Sequence, residues 1–190
     1  MISKMITIRK AVSKDLNKIV NLDSKCFSDD KYSKNHWKKL IKLSHTYVAT
    51  ENQLKNKSEQ SNEPNEPKDD TNSEKIIGSI SVSQITIRDK IGGATESFMK
   101  KNNVRVCWLI TTICVNQNYR KLGIGTMLIN KIKNKLEHSD NLLNKPILLN
   151  VRESNIGAIN FYKKHGFKKS KFKDIDYYDN PQENALLMYC

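Results

Sequence analysis

Residues 106–128 constrain what this chain can fold into more than any other segment. They begin with a run, 106–115, that is nearly all apolar or β-branched, which is typical of a strand buried on both faces. A short polar stretch follows, and beyond it the apolar residues recur at helical spacing: Ile124, Met127, Leu128, Ile132 and Leu136. The segment therefore predicts a buried strand, a turn and an amphipathic helix, which together form the basic unit of an α/β protein.

The turn between this strand and this helix has the residues of an anion-binding turn. Arg120 and Lys121 supply positive charge. Gly123 and Gly125 allow a ligand to approach the backbone where the N–H groups at the start of a helix are free. The spacing matches neither a mononucleotide P-loop nor a dinucleotide-binding fingerprint. We predict a phosphate-binding turn, with an ordinary strand-to-helix turn tightened by glycines as the alternative.

Three motifs, in this order, resemble the GNAT acetyltransferase superfamily. Arg120-x-x-Gly123-x-Gly125 is similar to the family's acetyl-CoA pyrophosphate loop, Gln/Arg-x-x-Gly-x-Gly/Ala. Residues 149–167, LNVRESNIGAINFYKKHGF, resemble the segment in which an Asn caps a helix beside the pantetheine arm and a Tyr on that helix faces the CoA sulfur. Residues 176–189, DYYDNPQENALLMY, resemble the end of the protein Nα-acetyltransferases, a branch that includes bacterial ribosomal-protein acetyltransferases and their eukaryotic relatives.

The resemblance implies one domain over residues 1–190. It would be an α/β GNAT domain with a mixed, mainly antiparallel sheet of about seven strands and about four helices. Residues 52–75 are polar and contain no large apolar side chain except Leu54, so we expect a disordered insertion there. Residues 89–103, which include Gly92 and Gly93, are expected to form a second, shorter loop insertion.

The resemblance also implies acetyl-CoA as co-substrate, and no metal is expected. The backbone of Ile113 and Val115 is expected to pair with the pantetheine amides, and an N–H near Cys114 or Val115 to hold the oxyanion. Tyr162 is the candidate acid that protonates the leaving thiolate, with a core tyrosine as the alternative. The residues expected to bind acetyl-CoA are Ile113, Cys114, Val115, Arg120, Lys121, Leu122, Gly123, Ile124, Gly125, Thr126, Asn155, Ala158 and Tyr162.

The catalytic base is the point at which this chain departs from the family pattern. Relatives place Glu or His two residues before the position of Arg152, where this chain has Asn150, and a second family position, a Tyr, aligns with Leu109. An α-amine, with a pKa of about 7.7–8.0, needs a strong base less than a lysine does, so Asn150 favours N-terminal amines as acceptors. The remaining candidates for the base are Glu153, Asp29, Asp30 and a water held by Asn150 and Tyr177.

The acceptor groove is expected between residues 27–32 and a turn formed by residues 177–178. Phe27 looks like the aromatic residue that family members place against the first side chain of the peptide. The carboxylates of Asp29 and Asp30 are expected to attract the amino terminus, with a solvated turn as the alternative. The residues expected to bind the acceptor are Phe27, Tyr32, Tyr177 and Tyr178.

The formal net charge of +13 has two interpretations. Lysines crowd residues 163–173, which is compatible with attraction to a polyanion such as ribosomal RNA or the CoA phosphates. We favour the simpler interpretation, a solvated surface rich in lysine. No aromatic-lined basic repeat indicates sequence-specific recognition of nucleic acid.

Cysteine spacing and hydropathy indicate the compartment. The four cysteines are widely spaced and include no C-x-x-C pair, so we expect a reducing cytoplasm and no zinc site. The sequence has no apolar run long enough for a membrane span, and its start resembles a first strand rather than a signal peptide.

The predicted function is direct transfer of an acetyl group from acetyl-CoA to the α-amino group of a protein or peptide N-terminus in a ternary complex. The ribosome and an auxiliary subunit are further candidate partners. The alternatives are a small-molecule or polyamine acetyltransferase on the same fold, and a non-catalytic CoA-binding or ribosome-docking subunit.

Overall fold

Seven strands and five helices form the part of the chain that the computed structural model describes, residues 4–27, 30–53, 74–89, 93–138 and 145–190. The strands are β1 (Lys4–Lys10), β2 (His45–Gln53), β3 (Lys75–Thr86), β4 (Val106–Val115), β5 (Ile147–Arg152), β6 (Lys168–Asp179) and β7 (Gln182–Tyr189). The helices are α1 (Leu16–Phe27), α2 (Lys34–Leu43), α3 (Gly93–Lys101), α4 (Ile124–Glu137) and α5 (Ile156–Lys164).

All seven strands belong to one sheet, in the order β1-β2-β3-β4-β5-β7-β6. Neighbouring strands are antiparallel except β4 and β5, which are parallel. This confirms the prediction of a mixed, mainly antiparallel sheet. The parallel pair joins two halves of the fold, and the helix between its strands, α4, crosses one face of the sheet.

Each face of the sheet buries apolar helix residues. On one face, Ile124, Leu128, Ile129 and Ile132 of α4 lie in one buried cluster with Ile80, Trp108, Ile110 and Leu149 of the sheet. On the other face, α1 and α2 bury Ile19 and Trp37 beside Val48 and Cys114. The strand predicted from the apolar run 106–115 is thus covered on both sides.

Helix α3 corrects the expectation of a loop insertion at residues 89–103. Ala94, Phe98 and Met99 lie on its buried side, in a cluster with Leu148 of β5. Its first turn is capped from a distant part of the chain, because the Asp174 carboxylate accepts a hydrogen bond from the Ala94 N–H (2.5 Å). A cap supplied by a residue 80 positions away leaves no local signal in the sequence.

The expected insertion at residues 52–75 is shorter than predicted at both ends. Strand β2 extends to Gln53 and β3 begins at Lys75, which pairs with Glu51. Residues 54–73 lie outside the described residues, so their predicted disorder stays a prediction. Among the described helices, none is long and apolar enough to cross a membrane.

Candidate active site

A cleft opens between β4 and β5 because the two strands pair over only part of their length. Their register contains three residue pairs, of which Ile110 with Leu149 is the last. The register between β3 and β4 shifts at the same place and leaves Thr111 as an extra residue. Such a β-bulge bends its strand. From Thr111 onward, β4 has no strand partner on its β5 side within the described part of the chain.

Beyond the bulge, alternate residues of β4 direct their backbone groups into this cleft. Asn116 donates its N–H to the Ile77 carbonyl on the β3 side (2.8 Å). Because the direction alternates along a strand, the N–H and C=O groups of Ile113 and Val115 point the other way, into the cleft. The Cys114 groups point toward β3, which leaves Val115 as the better placed of the two oxyanion donors considered.

The turn before α4 exposes a row of backbone N–H groups. Lys121 and Gly123 both have positive φ, +63° and +78°. The N–H groups of residues 121–126 donate to no acceptor in the described part of the chain, as expected where a helix begins. A Cβ atom on Gly123 would meet no other atom within 4 Å. This open, positively polarised turn can bind a phosphate.

Gly125 packs against another helix, whereas the sequence predicted that it allows a ligand to approach the backbone. A Cβ atom there would lie 3.1 Å from Cζ of Phe161 on α5. The neighbouring Thr126 is within hydrogen-bond distance of His165 Nε2 (3.1 Å). Gly125 therefore permits the close packing of α4 on α5, in addition to any role toward a ligand.

The start of α5 is held as the motif predicts. The Asn155 side chain accepts a hydrogen bond from the Ala158 N–H (3.0 Å), so Asn155 is the N-cap. This cap fixes the helix against the edge of the cleft. Arg120 extends from the opposite side, where its Nε donates to the Val115 carbonyl (3.3 Å).

Tyr162 lies on the buried face of α5. It is 7% exposed and makes edge-to-face contacts with Phe161 and Phe167 at centroid distances of 5.5 and 5.7 Å. Its hydroxyl has no hydrogen-bond partner among the described residues. Burial raises the pKa of Tyr162, so the hydroxyl stays protonated near neutral pH and keeps its O–H as a hydrogen-bond donor.

The candidate bases that the structure describes are already engaged. The Asp30 carboxylate accepts hydrogen bonds from Arg152 (2.7 and 2.9 Å). Glu153 accepts one from Asn184 (3.1 Å). Asn150 follows the last β5 residue that pairs with β4, and its Oδ1 is buried without a partner in the described part of the chain. Asp29 lies outside the described residues.

Three of the four predicted acceptor residues lie in two segments that face each other. The first is the loop lip, residues 30–33, in which the Tyr32 hydroxyl donates to the Thr111 carbonyl at the bulge (3.3 Å). The second is the hairpin lip, residues 177–183, in which the rings of Tyr177 and Tyr178 pack edge to face (4.9 Å). The two tyrosines end β6 rather than forming a turn. The fourth, Phe27, is the last residue of α1 and is partly buried against the cluster that α1 and α2 form.

Two site residues were missed in the sequence. Arg152 joins the two lips, and its acceptors are remote in the chain. Asp23 of α1 is fully buried, and its Oδ2 accepts the Tyr32 N–H (2.8 Å). Burial raises the pKa of Asp23. In the sequence, Asp23 follows Ile19 at helical spacing and so falls on the apolar side of the helix. An acid on that side needs a hydrogen-bond partner, and this was a usable signal.

A thiol also lies beside the cleft. The Cys26 Sγ is 3.7 Å from the Val115 carbonyl oxygen. A hydrogen bond from Cys114 and the charge of Arg120 lower the pKa of Cys26 to about 7. Part of this thiol is therefore ionised near neutral pH, next to the strand edge that faces the cleft.

Comparison with known families agrees with this geometry. The profile described as the acetyltransferase (GNAT) family matches residues 17–167, which is most of the chain. The chain belongs to this family. The match spans the cleft, the turn before α4 and helix α5.

Curated relatives of this GNAT domain match it over shorter stretches. An N-alpha-acetyltransferase of Sulfurisphaera tokodaii is 40% identical over 79 residues, 42% of this chain and 45% of the relative. N-alpha-acetyltransferase 50 of Danio rerio is 38% identical over 79 residues, 39% of this chain and 45% of the relative. The chain thus spans less than half the length of the curated relatives that it matches.

Solved structures show the same fold along nearly the whole chain. NAA60 of Arabidopsis thaliana in complex with acetyl-CoA has a TM-score of 0.73 at 16% identity, covering 98% of both chains. Naa50 of Arabidopsis thaliana with a bisubstrate analogue has a TM-score of 0.66 at 21% identity, covering 97% of both. The ribosomal-protein-S18-alanine N-acetyltransferase of Escherichia coli has a TM-score of 0.66 at 16% identity, covering 97% of this chain and 92% of its own.

Proposed function

We propose that this protein transfers the acetyl group of acetyl-CoA to the α-amino group of a protein or peptide N-terminus. One observation carries the proposal: the open edge of β4 at Ile113 and Val115 is soon followed by the turn 121–126, whose N–H groups donate to no acceptor in the described part of the chain. A ligand with amides at one end and phosphates at the other fits that sequence of groups. The aromatic lips at the far end of the cleft supply a groove for a peptide.

The proposed chemistry assigns a separate task to each group. The turn 121–126 binds the pyrophosphate, and the backbone of Ile113 and Val115 binds the pantetheine arm. The neutral α-amine attacks the thioester carbon directly, and the Val115 N–H stabilises the oxyanion that forms. As the carbon–sulfur bond breaks, Tyr162 donates its proton to the CoA sulfur and the amine loses a proton to water. Tyr162 then regains a proton from water.

The preference for an α-amine follows from the state of the carboxylates. Asp30 and Glu153 already accept hydrogen bonds from Arg152 and Asn184. An α-amine is partly neutral at pH 7, whereas a lysine amine, with a pKa of about 10.4, is almost fully protonated. A site with Asn150 in place of an acid therefore acts best on the weaker base.

The same Asn150 favours a second candidate function, a non-catalytic subunit that binds acetyl-CoA. A small-molecule or polyamine acetyltransferase is a third. The N-terminal acetyltransferase and the small-molecule acetyltransferase differ in their acceptor, and the non-catalytic subunit differs from both because it has no turnover. One set of assays therefore separates the three.

Mass spectrometry of an N-terminal peptide library incubated with acetyl-CoA tests the proposal. We expect acetylation at the α-amine, little acetylation of spermidine or internal lysines, and loss of turnover in Tyr162→Phe. Preferred acetylation of spermidine would favour the small-molecule alternative. Binding of acetyl-CoA without turnover on any acceptor would favour the non-catalytic subunit.

We extend the proposal to a cytoplasmic enzyme that acts on nascent or ribosomal proteins. Cys107 and Cys114 are free and buried, as is usual in reducing compartments. The name of the Escherichia coli neighbour specifies a ribosomal protein as its acceptor. Co-sedimentation with ribosomes at increasing salt concentrations tests this extension, and recovery only in the ribosome-free fraction at low salt would contradict it.

A further inference from the structure

The guanidinium of Arg152 spans the gap between the two lips of the acceptor groove. Its Nε and Nη2 donate to Asp30 of the loop lip (2.9 and 2.7 Å). Its remaining N–H groups donate to the carbonyls of Asn180 (3.1 Å) and Pro181 (3.0 Å) and to Glu183 (3.2 Å), all in the hairpin lip. Arg152 therefore binds the two sides of the groove to each other.

This arrangement uses the whole donor capacity of an arginine. A guanidinium has five N–H donors, and the five hydrogen bonds of Arg152 account for all of them. The guanidinium also stacks on the Tyr178 ring, with its carbon 4.1 Å from the ring centroid. A lysine has three donors and no planar face, so it cannot make the same set of contacts.

The contacts are shielded enough to hold the lips together. The side chains of Arg152 and Glu183 are each 16% exposed, and that of Asp30 is 30% exposed. Charge-assisted hydrogen bonds of a planar guanidinium in such a site are stronger than those of an exposed ion pair. Glu183 is fixed in turn, since it accepts hydrogen bonds from the Ser154 N–H and hydroxyl.

We propose that Arg152 is a positioning residue for the acceptor: it fixes the distance between the loop lip and the hairpin lip, and so determines how well a peptide binds. The proposal rests on the proposed function. Arg152 acts through Asp30 and Tyr178, and none of its contacts reaches the turn 121–126. Its loss should therefore weaken acceptor binding while acetyl-CoA binding is preserved.

Steady-state kinetics of Arg152→Gln, Arg152→Lys and Asp30→Asn test the proposal. We expect the KM for a peptide substrate to rise about tenfold in Arg152→Gln, with kcat and the acetyl-CoA Kd changed less than about twofold. Arg152→Lys and Asp30→Asn should show smaller increases. The double variant Asp30→Asn/Arg152→Gln should be no worse than Arg152→Gln, because both substitutions break one contact.

Arg9→Gln is the matched control. Arg9 donates to Asp15 and Glu74, so it is also an arginine bridging two carboxylates, but it lies on β1 at the opposite edge of the sheet. Its substitution should lower thermal stability without changing the peptide KM. An unchanged KM in Arg152→Gln, or an equal rise in Arg9→Gln, would overturn the proposal.

Hydrogen–deuterium exchange keeps the test separate from the proposed function. In Arg152→Gln, exchange should accelerate in both lips, residues 30–33 and 177–183, whereas Arg9→Gln should leave both unchanged. Acceleration in one lip alone would show that Arg152 does not join them. If wild-type protein acetylates no peptide yet both lips respond, the proposed function fails while the bridging role of Arg152 stands.

Discussion

Gly125 of α4 lies against Phe161 of α5, so closely that a Cβ atom at position 125 would be 3.1 Å from the ring. Gly123, two residues earlier in the same motif, faces open space and has a φ of +78°. One glycine is therefore needed for helix packing and the other for the shape of the exposed turn. A substitution at Gly125 should therefore affect the stability of the fold, whereas a substitution at Gly123 should affect ligand binding.

Gly125→Val should destabilise the fold, and Gly123→Asn should weaken acetyl-CoA binding. Overpacking against Phe161 is expected to cost about 1–3 kcal/mol in the free energy of unfolding. Asn tolerates positive φ, so Gly123→Asn should cost about 1 kcal/mol or less, yet its side chain occupies the surface that the phosphates approach. Urea unfolding and calorimetry with acetyl-CoA measure the two effects. Equal acetyl-CoA affinity in Gly123→Asn and wild type would contradict the assigned turn.

Local sequence patterns were sufficient to predict much of the fold. The run 106–115 is nearly all apolar or β-branched, and β4 has those bounds. In α2 the signals are also local, because the Ser33 N-cap and the buried residues Trp37 and Leu40 lie within a dozen residues of each other. Helix α3 could not be read, because its cap comes from Asp174. The bridge made by Arg152 depends on acceptors 28 to 122 positions away, which only the fold brings together.

Asp23 should make stability depend on pH in a predictable direction. Burial raises its pKa above the ordinary value of 3.8, so the folded protein holds this proton more tightly than the unfolded chain. The free energy of unfolding should therefore fall as pH rises from about 4 through the folded pKa. Asp23→Asn still accepts the Tyr32 N–H and has no charge to bury. It should be more stable than wild type at pH 7, with the difference vanishing near pH 4.

Asp23→Ala is the informative contrast, because it leaves the partly buried Tyr32 N–H without its acceptor. Relative to Asp23→Asn, which also has no carboxyl group to titrate, we expect a loss of about 1–3 kcal/mol at every pH and a higher KM for peptides as the loop lip loosens. Urea unfolding between pH 4 and 8 compares the three proteins. If the difference in unfolding free energy between Asp23→Asn and wild type does not vary with pH, the charge of Asp23 is not the cause of that difference.

Tyr162→Phe should abolish most turnover at no cost in stability. The side chain is buried and its hydroxyl has no partner among the described residues, so its removal should leave the melting temperature equal or slightly higher. Loss of a general acid is expected to lower kcat by about 10²–10⁴. Acetyl-CoA affinity, measured by calorimetry, should stay within about twofold. A large drop in melting temperature with unchanged kcat would identify Tyr162 as a core tyrosine.

Residues 54–73 should be dispensable. Glu51 and Lys75 are opposite each other in the β2–β3 register, so the ends of the segment lie side by side and a short Gly-Ser linker can join them. The melting temperature and acetyl-CoA affinity of such a variant should match those of wild type. Glu74 must be kept because it pairs with Arg9, and removing it as well should lower the melting temperature. A loss of several degrees with Glu74 intact would mean that the segment packs on the domain.

Asn150 should make the rate follow the ionisation of the acceptor itself. Its side chain cannot accept a proton at neutral pH, and the carboxylates of Asp30 and Glu153 already accept hydrogen bonds from Arg152 and Asn184. The kcat/KM for a peptide should therefore rise toward pH 8 with the fraction of neutral α-amine.

Asn150→Glu should move this profile to lower pH or raise the rate near neutrality, because a carboxylate there can take the proton from the amine. Asn150→Gln, which changes length without adding a base, is the matched control and should keep the wild-type profile. A wild-type profile that rises with a distinct pKa well below 7 and is unaffected by Asn150→Glu would show that another carboxylate is the base. Asp29 would then be the first residue to substitute, and the preference for α-amines would lose the support that it draws from Asn150.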